Sequence, residues 1–117
     1  MKIKQIINEL ALEVIVPPRG DYEVQSGYTG DLLSQVVARA DRDFIWITIQ
    51  NHLNVIAVAC LLNLAGVILA EGIEPIPEAV EKAREEGVCL LSSPEGSFEL
   101  GGKLYQLFNV EVESCYT

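Results

Sequence analysis

Thr48, Gln50, His52 and Asn54 stand at alternate positions across one junction, where the apolar run Phe44-Ile45-Trp46-Ile47-Thr48-Ile49 passes into a second run, Leu53 to Leu62. Hydroxyl, amide and imidazole groups where a strand hands over to a helix can hold a ligand by hydrogen bonds. Such a junction also offers free backbone amides and the positive end of a helix dipole, which suit a small anion or phosphate. Ser92, Ser93 and Ser97 form a similar group before another helix start, and Gly27, Thr29 and Gly30 form a third edge. Ordinary turn and cap chemistry accounts for the same residues, with Asn51 and His52 orienting the helix start.

Catalytic signatures are weaker. His52 is the single histidine, and nucleophilic catalysis needs a base beside an activated Ser or Cys. Cys60, Cys89 and Cys115 are scattered, without the ligand spacing of a zinc site. A phosphate-binding loop needs Gly-Lys-Ser/Thr four residues after its first glycine. Here Gly96 is followed by Gly101-Gly102-Lys103-Leu104, with the lysine one place late and the hydroxyl missing. Glu85-Glu86 reads as a solvated helix face. No catalytic residue, metal site or cofactor is expected.

These groups need elements to position them. Phe44 to Ile49 is β-branched and aromatic without a breaker, which predicts a strand buried on both faces. The following helix, over about 54–63, is apolar nearly all round and must be covered on more than one side. That predicts a homodimer built on this helix; burial by a neighbouring helix of the same chain is the competing explanation. Helical spacing predicts short helices over 2–10 and 31–40, with Asp31 favouring the first turn of the second. Leu12 to Val16, the weaker Tyr22 to Ser26, Gly66 to Ala70 and Val88 to Leu91 read as further strands. Pro77 at a first helical position and Gly87 at a C-cap bracket another helix, with Glu78 and Lys82 spaced to pair on its outside. Ser93 as N-cap and Pro94 open the last one, which carries Gly101-Gly102 inside it at a cost of about 2 kcal/mol. Close approach of another backbone would account for that pair.

At 117 residues the chain is one domain, and half its residues are hydrophobic. A formal charge of −9 repels phosphate backbones and anionic lipid, so neither nucleic acid nor a membrane is an expected partner. The apolar stretch from Val55 to Ala70 is interrupted by Asn63 and Gly66 and is shorter than the roughly twenty residues of a membrane span. An odd cysteine count and no export signal point to a reducing cytoplasm.

From the second strand onward the chain resembles the DRTGG domain family. The residues that carry the resemblance are Val24-Gln25-Ser26-Gly27-Tyr28-Thr29-Gly30-Asp31-Leu32-Leu33-Ser34, then Trp46-Ile47-Thr48-Ile49-Gln50, and His52 to Ala59. Gly66 to Tyr105 is also similar to the N-terminal, non-catalytic domain of HPr kinase/phosphorylase. The family's naming string is absent. The resemblance implies a compact α/β/α domain that is regulatory or dimerising, found beside catalytic or nucleotide-sensing modules.

The expectation is therefore an α/β chain: three-layer α/β/α with a mostly parallel central sheet, a domain over 1–107 and a tail or edge strand over 108–117. It would act as a cytoplasmic, homodimeric, non-catalytic regulatory or sensory module, with a small anionic or nucleotide ligand at the strand ends and a partner enzyme. The alternatives are an enzyme or accessory subunit working through His52 and Ser92-Ser93, and a purely structural dimerisation unit.

Overall fold

Ile45, Trp46 and Ile47 are all fully buried, as a strand covered on both faces requires. They belong to β3 (Phe44–Thr48), near the centre of a five-stranded sheet. The computed structural model describes residues 1–116, with side chains through Asn109. Around β3 the sheet runs β1 (Glu13–Val16), β5 (Leu90–Ser92), β4 (Gly66–Leu69), β3 and β2 (Ser26–Thr29). Only β1 is antiparallel, against β5.

Helices cover both faces. On one side α1 (Ile3–Glu9) and α5 (Ser97–Tyr116) bury Ile3, Ile6, Leu100 and Leu104 against Ile45, Ile47, Ile68 and Leu91. On the other, α2 (Leu33–Arg39), α3 (Leu53–Leu62) and α4 (Pro77–Glu86) bury Val36, Val55, Ile56 and Ala83 against Trp46, Val67, Leu69 and Leu90. The fold is the expected three-layer α/β/α arrangement.

Several boundaries differ from the sequence expectation. The second strand lies at Ser26–Thr29 rather than Tyr22 to Ser26. Gly27 is inside it, where Leu104 of α5 crosses so closely that a Cβ at Gly27 would lie 2.7 Å from its Cδ2. The last helix begins at Ser97, and Ser93 makes a local turn instead, its Oγ accepting from the Glu95 N–H at 3.1 Å. Phe108 to Tyr116, expected as a tail or edge strand, continues α5; Thr117 lies outside the described residues. Lys82 pairs with Glu86 at 3.1 Å instead of with Glu78.

Pro77 and Gly87 bracket α4 as expected, with Gly87 left-handed at φ 73°. Arg19, from the loop after β1, completes that end: its Nη2 donates to the carbonyls of Arg84 at 3.0 Å and Glu85 at 3.3 Å. These carbonyls have no partner inside the helix, and the cation also meets the negative end of the dipole. Arg19→Ala is expected to lower stability by about 1 kcal/mol, read as a shift in the urea midpoint at unchanged slope. An unchanged midpoint would show that solvent serves those carbonyls equally well.

Candidate functional site

The carboxyl ends of the parallel strands lie abreast. Thr48 pairs with Leu69 and Leu69 with Ser92, while Thr29 pairs with Ile47. The starts of α2, α3, α4 and α5 follow these ends in the chain, so Thr29, Thr48 and Ser92 lie along one edge of the sheet.

They divide between its two faces, because side chains alternate along a strand. Thr48 shares its face with Trp46 and Leu69, toward α3. Thr29 shares its face with Ile47, toward α5, where a Cβ at Gly101 would meet its Oγ1 at 3.3 Å. Gly27 and Thr29 thereby line a cavity of about 310 Å³ between β2 and α5, with Ser26, Gly101, Leu104, Tyr105 and Phe108. None of Thr48, Gln50, His52 or the three serines reaches it.

Thr48 and Gln50 are joined through Asp31, the acid expected to favour the first turn of the following helix. Asp31 Oδ1 accepts from Thr48 Oγ1 at 2.8 Å and from the Ile49 N–H at 2.9 Å. The Gln50 side-chain amide donates to the Asp31 carbonyl at 3.1 Å, and the Gln50 N–H donates to Thr48 Oγ1 at 3.1 Å. One residue earlier, the buried Trp46 indole N–H donates to the Gly30 carbonyl at 2.8 Å. Thr48 is fully buried, so its hydroxyl holds this loop in place. Asp31 lies 17 residues from Thr48 in the chain; no periodicity links them, and a strand-end threonine needing an acceptor was the only available signal.

The remaining candidates separate. Asn51 Nδ2 donates to the Glu74 carbonyl at 2.7 Å, tying the entry of α3 to the loop after β4. His52 holds the N-cap position of α3 without a side-chain cap bond, and both His52 and Asn54 are exposed. Ser92 Oγ donates to Glu13 Oε2 at 3.2 Å across the β1–β5 pair. Ser97 opens α5. Thr48 and Ser92 are two strand spacings apart, roughly 10 Å, so one small ligand would have to bridge them.

Charge along this edge is mostly negative. Asp31, Glu71, Glu74 and Glu95 lie on its loops, and Lys103 from α5 is bonded to Glu95. Among the described residues no group of His, Cys, Asp and Glu could hold a metal ion, and no helix is long and apolar enough to cross a membrane.

The chain matches no family model and no curated protein. Among solved structures it is similar to the crystal structure of the CBS and DRTGG domains of the regulatory region of Clostridium perfringens pyrophosphatase, complexed with its activator diadenosine tetraphosphate. The fold is shared. The TM-score is 0.71 at 16% identity, and the match covers 87% of this chain and 45% of that one. This chain thus spans less than half the length of the regulatory structure it resembles.

Proposed function

We propose that the chain is a non-catalytic regulatory or sensory module that binds a nucleotide at the carboxyl ends of its parallel strands and passes that state to a partner enzyme or catalytic domain. The observation that carries the reading is the polar, hydrogen-bonded edge at Asp31, Thr48 and Gln50, beside the first turn of α3. The likeness to a regulatory region solved with a dinucleotide activator supports the same class of ligand. The carboxylates on the rim disfavour a bare polyanion, so the ligand best suited is a nucleotide whose phosphates arrive with Mg²⁺ and meet the first turns of α3 and α5. Among the described residues His52 forms no hydrogen bond with Ser92, Ser93 or a cysteine, so no base–nucleophile pair among them supports an enzyme.

Homodimerisation through α3 belongs to the same proposal. Neighbouring α2 and α4 pack beside α3 and account for part of its apolar surface. An outward stripe remains: Leu53, Ala57, Cys60 and Leu61, the last 70% exposed. No residue of α3 is charged, whereas α4 carries Glu78, Glu81 and Glu85 outward. Two copies of a chain with charge −9 meet with least repulsion along that uncharged stripe. Leu61→Glu is then expected to convert a dimer to a monomer in sedimentation velocity; a wild-type monomer at high concentration would withdraw the dimer.

Thermal unfolding against diadenosine tetraphosphate, ATP, ADP and inorganic phosphate, each with and without Mg²⁺, tests the ligand. A compound at 100 times its dissociation constant adds about 2.7 kcal/mol, which raises the midpoint on the order of 10 °C in a domain of this size. A selective, Mg²⁺-dependent shift is expected. A flat panel would remove the ligand and leave a dimerisation scaffold.

A further inference from the structure

Asp31 precedes α2 but does not cap it: that helix has no side-chain cap bond, although an N-cap aspartate typically contributes about 1 kcal/mol. The carboxylate is turned to the end of β3 instead, where two donors fix Oδ1. Oδ2 takes no hydrogen bond from the described residues. Gln50 is oriented by one bond. Its amide donates to a backbone carbonyl, which can only accept, so nitrogen occupies that side and Oε1 is the outward end. Oε1 also has no described partner. The edge therefore offers two fixed acceptors, one of them charged, and Thr48 has its proton committed to Asp31.

Apolar surface adjoins these acceptors. Leu32 follows Asp31 and is 63% exposed; Ile49, whose N–H Asp31 holds, is 39% exposed; Leu53 at the start of α3 is 44% exposed. Fixed polar groups among apolar side chains are how small-molecule sites set orientation. A carboxylate repels phosphate, whereas hydroxyl or amino donors bind it strongly.

We propose that Asp31, with Gln50, is the selector of this edge: it binds the donor-bearing nucleoside half of the ligand through its vicinal ribose hydroxyls and turns the phosphate half away. This rests on the nucleotide reading above and deepens it. Because Oδ1 is already held, Oδ2 is preorganised, and little side-chain freedom remains to be lost on binding. Thr48 and Trp46 act as positioning residues for the Gly30–Asp31 loop.

Calorimetric titration of the full chain with adenosine, 2′,3′-dideoxyadenosine and inorganic phosphate tests the assignment, alongside Asp31→Asn. Asparagine keeps the Oδ1 acceptor and replaces Oδ2 by a donor, so the loop bonds survive; circular dichroism and the thermal midpoint check the fold. Wild type is expected to bind adenosine, and the dideoxynucleoside about tenfold or more weakly, as loss of a hydrogen bond to a charged group predicts. Asp31→Asn is expected to lose adenosine by a similar factor and no longer to separate the two nucleosides. Equal binding of both nucleosides by wild type, or wild-type adenosine affinity in folded Asp31→Asn, overturns the selector while the ligand reading stands. Wild type that binds phosphate and neither nucleoside also overturns it and leaves an anion site. Binding of nothing here, with a flat nucleotide panel, overturns both.

Discussion

Trp46→Ala is expected to destabilise the protein by about 3–5 kcal/mol, the usual cost of truncating a fully buried aromatic ring. That is a large share of the roughly 5–15 kcal/mol that holds a domain together, and it should lower the thermal midpoint by about 10–20 °C. Trp46 is 0% exposed and packs among Val36, Val55, Val67 and Leu69 where α2 and α3 meet the sheet. Its indole N–H also supplies the donor for the Gly30 carbonyl at 2.8 Å. Trp46→Phe separates the two contributions: most of the ring remains and the donor is lost, for about 1–3 kcal/mol. If the donor matters for positioning, Trp46→Phe should also weaken any ligand bound beside Asp31, beyond what its small loss of stability explains. A midpoint lowered by only a degree or two in Trp46→Ala would show that the ring is not the packing centre of that layer.

The same residue shows what a single sequence reveals. Strands buried on both faces announce themselves by unbroken apolar runs, so β3 and β4 are legible, as is α4 between Pro77 and Gly87. The layered architecture follows, because strands of that kind need helices on both sides. Position fails where tertiary contact overrides local preference. Gly27 falls beyond the expected strand yet lies inside β2, where Leu104 crosses it, and Ser93 has the chemistry of an N-cap but spends it on a turn. The candidate site was legible as a sheet edge but not as a constellation. Alternation sends Thr29 and Thr48 to opposite faces once register is known. Asp31 reads as part of its own helix because its partners, Thr48 and Ile49, are remote in the chain.

Between pH 9 and 12 the protein is expected to lose several kcal/mol of stability, on the α1–α5 side of the sheet. Burial pushes the Cys89 thiol up from 9.0 to about 12. Tyr22 rises from 10.0 to about 12, first through burial and then through the nearby Cys89 and Asp43 charges; its hydroxyl donates to the Ala65 carbonyl at 2.7 Å. Both groups hold their protons more tightly folded than unfolded. Their contribution is therefore complete below pH 9 and declines as pH rises toward the folded values. For Cys89 alone the full range is worth on the order of 4 kcal/mol, of which about 2.5 kcal/mol is gone by pH 11. Tyr22 is half-buried, so solvent screening makes its share smaller. Lysine deprotonation adds a background slope, which the double variant Cys89→Ala/Tyr22→Phe retains while losing the two titrations. By urea unfolding, that variant should be less stable than wild type by about 2 kcal/mol at pH 8, from one lost hydrogen bond and one small cavity. The two curves should converge as pH approaches 11, because wild type must ionise groups that its core excludes from water. Parallel curves across that range would place the alkaline loss elsewhere in the molecule.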